Sequence, residues 1–183
     1  MHIKDHANDL LDLIKYAQRD KTTELEVIVK EQFEKTVSNE MFNNVLSRLK
    51  GTRNIKLHSK QESLDISFKD DYDNIRVSIL GQENITNYCL TNDIKSINKE
   101  YVSYMRKTPV RYVSIYDYNV KFNLKRENEL TNKDGDVLDL NRNWTKLGKF
   151  FRYKKRMTFK SDDNLFNIDL TVIKTSNNKT IRL

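Results

Sequence analysis

Cysteine is almost absent from this 183-residue chain. Cys89 stands alone, which excludes an internal disulfide and any cysteine-rich zinc site and fits a reducing compartment. No apolar run approaches the roughly 18 residues of a membrane-spanning helix. The start, Met1-His2-Ile3-Lys4-Asp5-His6, carries no apolar segment of a secretory signal. His2, His6 and His58 lack zinc-ligand spacing and read as surface residues. Without a secretion signal, the Asn84-Ile85-Thr86 sequon carries no weight. Proline occurs once, at Pro109, and no internal repeat is present. The expectation is a soluble, intracellular, single-domain protein over residues 1–183, with no membrane partner.

Charge is what the chain has in abundance. Residues of type DEKR make up 32%, and 33 Lys+Arg against 26 Asp+Glu leave a net +7, which suits an anionic partner. Aromatics at 10%, together with β-branched runs, argue against disorder. The Lys and Asn richness is spread along the chain rather than gathered in a tail.

The pattern predicts an α+β protein, mostly antiparallel β. Leu10, Leu11, Ile14 and Ala17 share a helical face over 8–18. Ser38 or Asn39 caps a second helix that buries Phe42, Val45, Leu46 and Leu49 and stops at Gly51. Strand alternation covers 23–30, dominates from residue 52, and gives a hairpin from Leu64–Phe68 and Ile75–Ile79 around 70–74. One or two helical turns fit 84–90, and Pro109 precedes an extended stretch to about 130. A loop around Gly135 is expected over 131–146. The last hairpin pairs Phe150–Phe159 with Leu165–Lys174. Cys89 and Trp144 read as core residues.

Side chains two apart in a strand share a face, and here one face of each strand is charged. Phe151, Tyr153, Met157 and Phe159 oppose Arg152, Lys154 and Arg156. Leu25, Val27 and Val29 oppose Glu24 and Glu26; Ile75, Val77 and Ile79 oppose Arg76 and Ser78. Phe122 and Leu124 oppose Lys121, Asn123, Lys125 and Glu127, and Ile168, Leu170 and Val172 oppose Asn167, Asp169 and Thr171. A solvated face explains any one of these alone. Three like charges along one strand, however, repel unless an anion lies between them, and Glu24 with Glu26 equally wants a cation. Paired carboxylates suit a hard divalent ion, Mg²⁺ or Mn²⁺. Arg and Lys clamp phosphate oxygens, and a further carboxylate such as Glu127 can orient a water. Those are the parts of a phosphoanhydride hydrolase.

The segments Thr23-Glu24-Leu25-Glu26-Val27, Val120-Lys121-Phe122-Asn123-Leu124 with Glu127, Phe151-Arg152-Tyr153-Lys154-Lys155-Arg156 and Phe166-Asn167-Ile168-Asp169-Leu170-Thr171-Val172 resemble the metal-dependent RNA triphosphatases of the triphosphate tunnel group, found in capping enzymes of fungi and large DNA viruses. The resemblance runs from about residue 20 onward and is nearest to the N-terminal domain of viral capping enzymes. It implies an eight-stranded antiparallel tunnel with a few flanking helices. The implied activity removes the γ-phosphate of 5′-triphosphate RNA, with manganese-supported hydrolysis of NTPs beside it. It implies metal ligation by Glu24 and Glu26, phosphate contacts from Arg76, Lys121, Arg152, Lys154 and Arg156, a water-orienting Glu127, and Asp169 with Thr171 supporting the basic row. Lys125 joins the phosphate-binding candidates because it shares their face, although it matches the family less closely. Guanylyltransferase and methyltransferase domains of the same polypeptide are implied partners, and the virion or infected-cell cytoplasm the implied location.

Two positions depart from the family pattern. A basic residue is common at the position of Ile28, for which Lys30 substitutes here. The family's last strand adds a second Glu-x-Glu pair, but Ser176-Asn177-Asn178-Lys179-Thr180-Ile181-Arg182-Leu183 contains none. The expectation is an N-terminal fragment lacking its last strand, with impaired metal binding and activity. A non-catalytic RNA- or polyphosphate-binding module, or a hydrolase of small triphosphates with the same fold, are the competing readings.

Overall fold

Strands whose two faces differ in polarity must pair so that the apolar faces find cover, and the fold follows from that need. The computed structural model describes residues 6–29, 37–69, 72 and 74–176. The strands are β1 (Thr23–Val29), β2 (Ile55–Phe68), β3 (Ile75–Leu80), β4 (Val102–Ile115), β5 (Val120–Leu130), β6 (Lys149–Ser161) and β7 (Asn167–Ser176). The helices are α1 (Ala7–Arg19), α2 (Asn39–Gly51), α3 (Gln82–Thr91) and α4 (Gly135–Asn143). Strands hydrogen-bond in the order β1-β5-β4-β3-β2-β6-β7. The α+β, antiparallel expectation holds. The closed eight-stranded barrel does not: among the described residues the sheet has seven strands, and no pairing joins β1 to β7. His2, Lys30 and the tail 177–183, with the expectations attached to them, lie outside the described residues.

The chain packs as two compact units, Met1–Phe42 with Arg106–Asn128, and Asn43–Met105 with Glu129–Leu183. In the first, α1 covers the apolar face of β1 and β5. Leu13, Val113, Ile115 and Leu124 are buried there, with Leu10, Ala17, Leu25 and Phe122 packed around them. Asp9 in the first turn of α1 and Arg19 in the last match the helix dipole. The turn into β1 is clamped by Asp20, whose carboxylate accepts from Thr22 N and Oγ1 (3.0 and 2.6 Å) and from Arg126 Nη2 (2.9 Å). The Thr22 hydrogen bonds, then Arg126, hold that carboxyl below its ordinary value.

In the second unit, β2 is the spine. It pairs with β3 over Ser63–Ser67 and with β6 over almost its whole length, broken by a bulge between Leu57 and Ser59 that leaves exposed His58 unpaired. The apolar face sets Leu64, Ile66, Val77, Ile79, Phe151 and Tyr153 against α3 and α4. Trp144 is buried at the centre of an aromatic set, edge-on to Phe68 at 5.4 Å and to Tyr88 at 6.0 Å. The loop expected around Gly135 is instead helix α4. Val137, Leu140 and Trp144, spaced three and four apart, are all buried and form its apolar stripe. Lys149 closes the helix end: its buried Nζ donates to the Trp144 carbonyl and lies 5.0 Å from the Trp144 ring.

Candidate functional site

The register of β1 on β5 places the first charged face. Glu24 stands opposite Lys125, Glu26 opposite Asn123 and Ile28 opposite Lys121, while Leu25 meets Leu124 on the face under α1. Glu127 continues the polar face, its N–H donating to Thr22 O at 2.8 Å. The unit thus brings Glu24, Glu26, Lys121, Lys125 and Glu127 onto one side of the sheet. Lys125 Nζ donates to Glu26 at 2.9 Å. Lys107 on β4, which sequence reasoning missed, lies 3.9 Å from Glu24 and forms an ion pair with Glu127. Lys121 stands over the Tyr112 ring at 4.4 Å.

The second charged face belongs to the other unit. Its register places Asp65 opposite both Ser78 and Arg152, Ser63 opposite Lys154, and Thr171 opposite Arg156. Arg76, Arg152, Lys154, Arg156, Asp169 and Thr171 therefore share one face, with the apolar cluster behind it. Asp65, also missed, is its organising group. The carboxylate is 1% exposed, accepts from Ser78 Oγ at 2.9 Å, and lies 2.5 Å from Lys154 Nζ and 3.6 Å from Arg76 Nε. Arg156 Nη1 is 3.1 Å from Asp169, which also accepts from Thr158 Oγ1 at 2.7 Å. Among the described residues no carboxylate lies within ion-pair distance of Arg152. Its Nη2 reaches only Ser67 Oγ, at 3.4 Å, and its buried Nε has no hydrogen-bond partner.

Counting charges around the buried pair explains its electrostatics. Burial is the largest influence on Asp65 and pushes its carboxyl up, but Lys154, Arg76 and Ser78 together outweigh it and hold it below the ordinary value. For Lys154 burial is again largest and pulls the ammonium down. One carboxylate does not offset burial plus the repulsion of Arg156 and Arg76, so Lys154 stays lowered. The row is short of negative charge. An arriving anion would complete it, through the free Nε of Arg152 and the crowded ammonium of Lys154.

On the acidic face, the oxygen-only donors Glu24, Glu26 and Glu127 suit a hard divalent ion. Lys107, near both Glu24 and Glu127, already demonstrates that these carboxylates attract a cation. No three acidic, histidine or cysteine side chains converge among the described residues. Mg²⁺-type ions commonly use one or two carboxylates and complete their shell with water and substrate phosphates, so the pair is sufficient in kind.

No described helix is long and apolar enough to cross a membrane. No family model matches the chain, and no curated protein matches it. Among solved structures it is similar to the Mimivirus capping enzyme triphosphatase, with a TM-score of 0.66 and 17% identity, over 96% of this chain and 81% of that one. The chain has the fold of a viral capping enzyme triphosphatase.

Proposed function

We propose that this chain is a metal-dependent RNA 5′-triphosphatase, which removes the γ-phosphate of triphosphate-ended RNA in the first step of mRNA capping and hydrolyses free NTPs as a side activity. The observation that carries this reading is the Arg152-Lys154-Arg156 row, partly neutralised by Asp65 and Asp169 and open at Arg152. The fold shared with a capping enzyme triphosphatase supports it.

Each residue has a part to play. Arg152 and Arg156 offer guanidinium forks, and Lys154, Arg76, Lys121 and Lys125 ammonium or guanidinium donors, to phosphate oxygens. Asp65 and Asp169 keep the row in position, with Thr171 beside Arg156. Glu127 accepts a hydrogen bond from the attacking water and orients it. That water adds to the γ-phosphorus as the bond to the β–γ bridging oxygen breaks, yielding inorganic phosphate and a diphosphate RNA end ready for guanylylation. Glu24 and Glu26 would hold Mn²⁺ or Mg²⁺. The bound ion supplies neutralisation of charge on the phosphate oxygens. Guanylyltransferase and methyltransferase domains of the same polypeptide are the partners such a role calls for, in the virion or the infected-cell cytoplasm.

Phosphate release from triphosphate RNA and from ATP, with Mn²⁺, with Mg²⁺ and with EDTA, tests the reading. Release should require the ion, Glu24→Ala and Glu26→Ala should abolish it, and Arg152→Ala should slow it by about 100-fold, the scale of losing one transition-state donor. Wild-type turnover in either glutamate variant removes that residue from the metal site. A non-catalytic RNA-binding module is the second reading, favoured by the existing pairing of Glu24 with Lys107 and of Glu26 with Lys125. It predicts metal-independent RNA binding and no release. A same-fold hydrolase of small triphosphates would prefer ATP or tripolyphosphate in direct competition with RNA.

A further inference from the structure

A cleft of about 440 Å³ opens in the second unit between α4 and the two short 3₁₀ turns that follow α3. Its lining is Lys95, Lys99, Asn132, Leu138, Asn141 and Arg142, three cations with two amides and no carboxylate. The scaffold beneath is well fixed. Asp93 accepts from Lys95 N at 2.9 Å and Asn98 from Glu100 N at 3.1 Å, capping the two turns, while Ile94 and Ile97 are buried under them. Asn141 is oriented by the buried Tyr104, whose hydroxyl donates to Asn141 Oδ1 at 3.1 Å. The amide NH₂ of Asn141 is then the end left for a ligand. Among the described residues, the ion-pair contact of Arg142 is an exposed one to Asp139 at 3.7 Å, of a kind that holds an arginine weakly.

We propose that this cleft binds the sugar-phosphate backbone of the RNA chain behind its 5′ end. Its charged groups are two ammoniums and a guanidinium, and Asn141 adds an amide NH₂ whose oxygen is already held by Tyr104. A lining of that kind selects phosphate oxygens without reading sequence, and half-exposed Leu138 gives a ribose an apolar surface. The inference rests on RNA being the substrate, since only a polyanionic chain would extend beyond the triphosphate to reach a separate cationic cleft.

The test combines Lys95→Ala, Lys99→Ala and Arg142→Ala in one variant. Its probe is a fluorescent single-stranded RNA of about 20 nucleotides with a 5′-hydroxyl end, whose binding is electrostatic and reports nothing of the triphosphate. Affinity should fall about tenfold, and the slope of log K against log salt should become shallower by about 2, for three lost phosphate contacts on a single strand. ATP hydrolysis should be unchanged, and KM should rise for long triphosphate RNA but not for a triphosphate-ended dinucleotide. Equal affinity and an equal salt slope overturn the proposal. So does a variant that keeps RNA but loses polyglutamate, which would assign the cleft to an acidic protein. If the unmutated protein hydrolyses neither RNA triphosphate nor ATP, the proposed function fails, while the hydroxyl-RNA measurement still decides the cleft.

Discussion

Asp65 carries more of the basic face than any other single residue. It is enclosed, it touches Lys154 and Arg76, and its removal would leave two cations facing each other in a poorly solvated place. Breaking a buried pair from one side typically costs about 3–5 kcal/mol, and Asp65→Asn should lie toward the lower end because the amide still meets Ser78. The pH dependence follows from the direction of its shift. A carboxyl lowered by folding stabilises the protein fully above its unfolded value, and loses that contribution as pH falls through the folded one. Urea melts of both proteins should therefore differ most above about pH 4 and converge at lower pH. A constant gap across that range would mean that Asp65 acts by packing alone. Arg152 is the opposite case: with no carboxylate partner among the described residues, Arg152→Ala should leave stability nearly intact while phosphate binding falls.

At the scale of elements, α4 separates what sequence made legible from what it concealed. Its stripe of Val137, Leu140 and Trp144 is helical in spacing, but Gly135 and the polar residues between suggest a loop to a reader who weights turn residues first. Leu140→Ala should cost about 2–5 kcal/mol in a denaturation curve. Leu138→Ala, on the half-exposed side of the same helix, should stay within about 0.5 kcal/mol. Equal losses would place α4 differently from its burial pattern. The β6 row was visible in the sequence because its signal is local: like charges at period two need no knowledge of neighbours. Asp65 and Lys107 were not, because their importance comes from pairing. Asp65 sits in Leu64-Asp65-Ile66-Ser67-Phe68, which reads as an ordinary half-exposed strand until β3 and β6 flank it. Lys107, two residues before the single proline, gains its meaning only from Glu24 and Glu127, which are remote in sequence. The closed eight-stranded tunnel came from the family resemblance, and the described residues show seven strands in an open order; closure depends on which edges meet, and period-two alternation says nothing of edges.

For the whole molecule, excess positive charge is the property that reaches solution measurements. With 33 Lys+Arg and 26 Asp+Glu, and a basic row short of anions, folded protein should bind inorganic tripolyphosphate and be stabilised by it. Saturation at about 100 times Kd is worth about 2.7 kcal/mol. A thermal-shift series should show the midpoint rising with tripolyphosphate, the rise shrinking in high salt and in Arg152→Ala. An identical rise in Arg152→Ala would locate anion binding elsewhere. Asp65 gives the same feature a kinetic meaning. It acts as a resident counter-anion, so departure of a phosphate group need not expose a bare cationic trough. Under the proposed function Lys154 would exchange Asp65 for a phosphate and back again, so that a highly charged end is held firmly while the shortened one is let go.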